Sequence, residues 1–212
     1  MKITGINVYN MYPAILGIRN SFKSVDKSDT LSLLPYQLRG GISVYNGCEL
    51  ARKDTTLIGK LLKNPNEYGH QERKFLRQIL VSMDITGSIK FWSQMDTFKV
   101  GTVRNSESTM HRITSRPLNS SDFEVEINKD HITWLNTMID KYNSETSSDK
   151  KRFIFNSIDA NLPGGYLLKS QWTGNYENLR NIYHGRKHHK MYWWKEFIYS
   201  IERLPYFDLM IK

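Results

Sequence analysis

Apolar positions recur along this chain with two periods, and each change of period marks a change of element. Ile3, Ile6 and Val8 suit a short N-terminal strand. Leu31, Leu33 and Leu34 form a small apolar cluster, and Gly40-Gly41 sets a turn before an apolar piece at 42–44. Leu57, Ile58, Leu61 and Leu62 then share one helical face, with Asp54 or Thr55 as the expected cap and Asn64-Pro65-Asn66 as the stop. The segment 75–85 is apolar enough for strand or helix, Gly87 interrupts it, and 89–98 resumes with helical character. Ser, Thr and Asn dominate 104–122, which also holds Pro117 and reads as partly loop. Asp130 opens an amphipathic helix with Leu135, Met138, Ile139 and Tyr142 on one face, followed by a polar connection over 143–149. A final helix is expected from about Asn175 to about Leu204, ended by Pro205. The pattern predicts one α+β domain, rich in helix, over residues 1–212, with no internal repeat.

Composition narrows this picture. With 212 residues, 39% hydrophobic and 24% charged, the chain can bury a sizeable core and is globular in character. No apolar run approaches the ~18 residues of a spanning helix, so no membrane segment is expected. The start lacks an apolar leader with a cleavage site, and one cysteine, Cys48, excludes an internal disulfide and Cys-rich metal sites. The expectation is a cytoplasmic protein. Thirty Lys and Arg against 21 Asp and Glu give a net charge of +9, which favours polyanionic partners: nucleotides, phosphorylated cofactors or nucleic acid.

Two runs concentrate the candidate chemistry. The first extends from Lys99 to Arg112; if Asn105 or Ser106 caps a helix there, Glu107 and His111 share a face, and Lys99, Arg104 and Arg112 would suit a phosphate. The second runs from Arg180 through His184, Arg186, His188 and His189 to Tyr192, Trp193 and Trp194. His184 and His188 stand four apart, but there is no HExxH pattern and no third ligand, so no metal is expected. Cations interleaved with rings also suit nucleic acid, while the plainer reading is an amphipathic helix with its aromatics in the core. Cys48 has no base near it in sequence and reads as a buried small residue. Dinucleotide, P-loop and nucleophile-elbow motifs are absent.

The order of residues in these runs resembles the flavin-dependent thymidylate synthases, which methylate dUMP with FAD, methylenetetrahydrofolate and NADPH. The C-terminal pattern is Leu162-Pro163, Tyr166, Trp172-Thr173-Gly174-Asn175, Asn181 and Arg186, with Trp193 or Trp194 beyond. The signature RHRxxSxNExSxR falls without gaps on Lys99 to His111: Glu107 is kept, Thr109 replaces a serine, and Lys99 replaces the first arginine. Upstream, Gly69-His70-Gln71-Glu72 and the apolar segment 75–85 echo a His-rich turn and a Phe-rich strand. The match covers about residues 50–205.

The resemblance implies helices packed on a small, mainly antiparallel sheet, and a homotetramer, because active sites of that family form between subunits. It implies that Arg186 is the catalytic group, lying against the uracil carbonyl to stabilise charge on the activated ring. Substrate contacts would come from Ser106, Glu107, Thr109 and His111, and cofactor contacts from Lys99, Asn175 and Asn181. The departures carry weight too. Val100 and Gly101 stand where the family has flavin-contacting histidine and arginine, while His111 and Asp159 replace phosphate-binding arginines. Each lost charge-assisted bond is worth about 1.5–3 kcal/mol, so affinity for dUMP in the family's pose should fall by powers of ten. The leading expectation is therefore a divergent flavin-dependent enzyme transferring a one-carbon unit to C5 of a dUMP-like nucleotide. The alternatives are a non-catalytic protein that binds or sequesters a nucleotide on the same fold, and a basic nucleic-acid binder. Usage rich in Lys, Asn, Ile and Tyr suits an AT-rich bacterium or its phage, with the host cytoplasm as location in the latter case.

Overall fold

The computed structural model describes residues 1–63 and 69–212. In chain order the strands are β1 (Lys2–Tyr9), β2 (Leu31–Leu33), β3 (Tyr36–Leu38), β4 (Ile42–Tyr45), β5 (Gly47–Glu49), β6 (Leu80–Ser88), β7 (Val103–Ser106) and β8 (Leu167–Asn175). The helices are α1 (Met11–Asn20), α2 (Arg52–Lys63), α3 (Gly69–Glu72), α4 (Ile89–Met95), α5 (Thr109–Arg112), α6 (Lys129–Ser144), α7 (Ser148–Ala160), α8 (Tyr176–Arg186), α9 (Tyr192–Ile201) and α10 (Phe207–Met210). Six strands form one sheet in the order β3-β4-β1-β6-β8-β7, and β2 pairs with β5 in a second. The class is α+β, as the sequence implies, but the sheet is larger than expected and mixed. β1 runs parallel to β4, with Val8 opposite Val44, whereas β3 is antiparallel to β4. The parallel pair follows from the connection between β1 and β4, which is long enough to cross over and contains α1.

The contacts divide the chain into two compact units. Unit 1 comprises residues 1–2, 86–97 and 105–170. Its core is Ile113, Leu118, Phe123, Leu135, Ile139, Ile158 and Tyr166, closed by packing of α6 on α7. The α6 helix begins where sequence predicts, because the Asn128 side chain accepts the Asp130 amide at 2.7 Å. The polar connection is shorter than expected, since α6 runs to Ser144 and α7 starts at Ser148.

Unit 2 comprises residues 3–85, 98–104 and 171–212. Here α1 and α8 each pack on the 3-10 turn Lys74–Gln78, α9 packs on α8, and α10 on α2. The expected cap of α2 is corrected: the helix starts at Arg52, and Asp54 lies inside it, 1% exposed. The Asp29 carboxylate caps instead, accepting the amides of Lys53 and Asp54 at 2.9 and 3.2 Å. Asp54 faces inward, where Arg19 Nε donates to it at 2.5 Å, Ser28 Oγ at 2.7 Å and Thr30 Oγ1 at 2.6 Å. The expected stop of α2 at Asn64-Pro65-Asn66 lies outside the described residues. No helix among the described residues is long and apolar enough to cross a membrane.

Candidate functional site

The single long C-terminal helix expected from about 175 to 204 is two helices. α8 ends at Arg186 and α9 starts at Tyr192, so the polar run between them is a loop. The break turns the chain so that Trp194, fully buried, faces back toward the end of α8. Arg186 is then held between two rings of unit 2. Its guanidinium carbon lies 4.9 Å from the centroid of Phe98 and 5.1 Å from that of Trp194. The rings themselves meet edge to face, 6.2 Å apart.

Gly185 is part of this arrangement, because a Cβ there would come within 3.3 Å of Phe98 Cζ. The C-terminal position on α8 adds a favourable helix dipole for a cation, and cation–π attraction contributes about 0.5–2 kcal/mol per ring. A half-exposed guanidinium held this way presents a planar, permanently charged donor set, suited to a carbonyl or a developing oxyanion.

Directly after Phe98 in the chain, the segment from Lys99 to Gly101 lies over the start of α8. The Asn178 Nδ2 donates to Val100 O at 2.8 Å. Gly101 has φ +76°, and a Cβ there would sit 3.6–3.8 Å from the carboxamides of Asn178 and Asn175. The Gly101 backbone therefore packs at ordinary contact distance over the two carboxamides, and Asn178 spends both ends of its own on Val100 O and the Asn175 amide. Asn175 also serves the structure. Its side chain accepts the Asn178 amide at 2.9 Å, and Asn178 Oδ1 accepts the Asn175 amide at 3.1 Å, a reciprocal cap. The Asn175 Nδ2 stays on the Gly101 side. Lys99 and Asn181 are both exposed. His184, on α8, is pushed below its ordinary value by burial and by the cations Arg180, Lys187 and Arg73.

The other candidates belong to unit 1. The helix near them is short and begins at Thr109 with Ser108 as cap, so Glu107 precedes it and shares no helical face with His111. Sequence reasoning placed the cap two or three residues too early because β7 occupies 103–106. Glu107 is fixed by backbone on both sides: its amide donates to Lys169 O at 2.9 Å, and its Oε2 accepts the Lys169 amide at 2.8 Å. Its Oε1 is ion-paired with Arg112. Ser106 Oγ donates to the carbonyl of Glu107 at 2.9 Å, Thr109 is half-buried, and His111 is exposed.

A pocket of about 250 Å³ is lined by Thr86, Glu107, Arg112, Ser121, Asp122 and Lys169, among others. Asp122 in turn is ion-paired with Arg116. Burial tends to raise the Asp122 carboxyl, but its bonds from Arg116 and Asn119, with the charges of Arg116 and Arg112, outweigh that and hold it below the usual range. The Tyr166 hydroxyl is buried with no hydrogen-bond partner among the described residues, and burial raises its pKa. Arg112, which the sequence groups with Lys99 and Arg104 as suited to a phosphate, is ion-paired with Glu107 in unit 1, while Lys99 and Arg104 belong to unit 2. Asp159 is exposed on α7.

The candidates thus fall into two sets. Ser106, Glu107, Thr109 and His111 lie in unit 1, and Lys99, Asn175, Asn181 and Arg186 lie in unit 2. Phe98 was missed because nothing in local spacing links it to Arg186; its role exists only once α9 folds back. Among the described residues no three His, Cys, Asp or Glu side chains gather as a metal site. Cys48 is buried, with its thiol pushed up to about 12 by burial first and the Asp54 charge second, which makes it a poor nucleophile.

No protein-family description and no curated protein sequence matches the chain. Solved structures do. The chain is similar to flavin-dependent thymidylate synthase ThyX from Helicobacter pylori complexed with FAD and dUMP, with a TM-score of 0.67 at 14% identity over 99% of this chain and 98% of that one. A second structure of ThyX from the same organism, with FAD and dUMP, gives a TM-score of 0.63 at 15% identity over 97% of both chains. The chain therefore has a ThyX-like α+β fold along nearly its whole length.

Proposed function

We propose that this protein is a divergent flavin-dependent enzyme of pyrimidine-nucleotide metabolism, transferring a one-carbon unit to C5 of a dUMP-like substrate. The observation that carries the reading is the Phe98–Arg186–Trp194 clamp, found on a fold shared with ThyX. Arg186 is the catalytic residue of the proposal. Its guanidinium fork donates to the pyrimidine carbonyl and stabilises the negative charge that develops when C5 becomes nucleophilic. The two rings limit its motion, so little reorganisation is needed as that charge forms. Ser106, Glu107, Thr109 and His111 are assigned to substrate, with Glu107 held rigid by the Lys169 amide and by Arg112.

FAD is the cofactor of the proposal, with methylenetetrahydrofolate as carbon donor and NADPH as reductant. The donors on this side of unit 2 suit a group bearing acceptor oxygens: Asn175 Nδ2 lies on the Gly101 side, and Lys99 and Asn181 are exposed. Those residues would hold the flavin nucleotide. Bound flavin would carry hydride from NADPH to the one-carbon unit, while the C5 hydrogen leaves as a proton. Val100, 86% exposed, and Gly101 offer no charge in this segment, which favours as second reading a nucleotide-binding protein without turnover. The assembly of the proposal is a cytoplasmic homotetramer.

The test is dUMP binding, measured by calorimetry with FAD present, to the protein and to Arg186→Lys and Arg186→Ala. The reading expects a loss of about tenfold for lysine, which keeps charge without the fork, and a larger one for alanine. Equal affinity across all three proteins would remove Arg186 from the site. Binding that depends on Arg186, with no deuterium or tritium release from C5, would select the second reading.

A further inference from the structure

Away from the residues assigned above, unit 2 carries a groove of about 700 Å³ between the turn that follows α1 and the outer face of α2. Its lining includes Lys27, Arg52, Lys53 and Lys60, all exposed, and Phe22, 58% exposed. Among the described residues none of these four cations has a carboxylate within ion-pair distance. Asp26, exposed beside Lys27, is the acid of this turn left in solvent, and the two acids nearest α2 are committed elsewhere. Asp54 is buried and bonded to Arg19, Ser28 and Thr30, and Asp29 holds the first amides of α2.

The same bonds make the groove a built feature, because they tie residues 28–30 to α2 and so fix its two walls. We infer that this groove binds single-stranded nucleic acid, with Lys27, Arg52, Lys53 and Lys60 on phosphates and Phe22 stacked on a base.

Three observations favour that occupant. Arg52 and Lys60 lie eight residues apart on α2, or about 12 Å along its axis at ~1.5 Å per residue, so one phosphate cannot meet both ends. A polymer with regularly spaced phosphates can. Four cations facing one groove release counterions on binding a polyanion, giving a salt-dependent attraction of the kind nucleic acids produce. An exposed ring beside the cations adds a stacking surface that an inorganic polyphosphate would not use and a base would. The net charge of +9 provides a favourable long-range field. This site differs from the basic run after α8, where Trp193 and Trp194 are buried and offer no face to a base.

The experiment is fluorescence anisotropy of a labelled oligo-dT 12-mer, titrated with the whole protein between 50 and 200 mM salt. With four phosphate contacts, log K against log salt should fall with a slope of roughly −2.8. Lys53→Gln with Lys60→Gln should weaken binding at least tenfold at low salt and about halve that slope. Phe22→Ala should weaken binding by roughly 5- to 150-fold while leaving the slope unchanged. A charge-matched pair, Lys190→Gln with Lys195→Gln, should bind as the parent does.

The altered side chains are exposed, and unchanged thermal melts confirm that the variants fold. No binding by the folded parent at 50 mM salt overturns the inference. So does equal weakening by both lysine pairs. Displacement by tripolyphosphate at matched phosphate concentration, with Phe22→Ala behaving as parent, would make the groove a simple anion site. Binding of phosphatidylserine vesicles in place of the oligonucleotide would make it a lipid contact. Because Arg186 takes no part here, failure of this inference leaves the dUMP test unaffected, and the reverse holds as well.

Discussion

Arg19 and Asp54 show how much of this molecule depends on single polar residues placed in the core. The Asp54 carboxyl is buried, which raises its pKa, but bonds from Thr30, Ser28 and Arg19 and the Arg19 charge together hold it below its ordinary value. The stability from this lowered group is fully present above the unfolded carboxyl range of about 3.9 and is lost as pH falls through the lowered folded value. Asp54→Asn would leave Arg19 charged and buried without its counter-ion, at a cost of about 3–5 kcal/mol. Urea unfolding at pH 7 measures that loss, and repetition below pH 4 should show the gap between variant and parent narrowing. A variant as stable as the parent at pH 7 would contradict the assigned role. Cys48 gives a second prediction at this scale. With its thiol pushed up to about 12, it should label slowly with a disulfide reagent at pH 8 in the native protein and rapidly in denaturant. At Phe98, replacement by alanine removes one ring from Arg186; affinity for dUMP should fall up to about tenfold with little change in melting temperature.

At the scale of elements, the reciprocal cap at the start of α8 separates two roles that sequence alone merges. Asn175 and Asn181 both read as cofactor residues, yet Asn175 caps the helix and Asn181 stands exposed on it. Asn175→Ala should cost about 1–2 kcal/mol in denaturant unfolding, whereas Asn181→Ala should leave stability within about 0.5 kcal/mol. Equal stability of the two variants would deny the cap. Much at this scale was legible in the sequence. β1, β4, α6 and the helical character of 89–98 follow from apolar period and turn residues, because each buries one regular face; the apolar cluster at 31–34 does not, and Leu31 in β2 is 63% exposed. Other features were not: β3, β5, β7, β8 and α10 have no counterpart in the sequence reading, and β6 runs straight through Gly87, where a break is expected. α1 and α7 went unassigned, since Pro13 and Gly17 interrupt the first and adjacent cations mask the second. The cap of α2 comes from Asp29, beyond any local window. The break between α8 and α9 lies in a run whose apolar spacing continues on both sides, so periodicity joined what the backbone separates.

For the whole molecule, fold and site were legible to different degrees. The order Trp172, Thr173, Asn175, Asn181 and Arg186 points to the architecture that the H. pylori ThyX structures share with this chain, even at 14–15% identity. Chemistry transfers less directly, because fold is kept by burial while a site depends on a few charges. Here Arg186 is held by two rings, Glu107 is ion-paired with Arg112, and His111 beside Arg112 is exposed. The central claim is that this fold still serves a flavin. The most direct measurement is the visible absorbance of concentrated purified protein titrated with FAD, after removal of free flavin. The account predicts a retained, shifted flavin band at stoichiometry up to one per chain, weakened when Lys99 is replaced by alanine. Protein that releases all flavin at high FAD, while remaining folded, would contradict it.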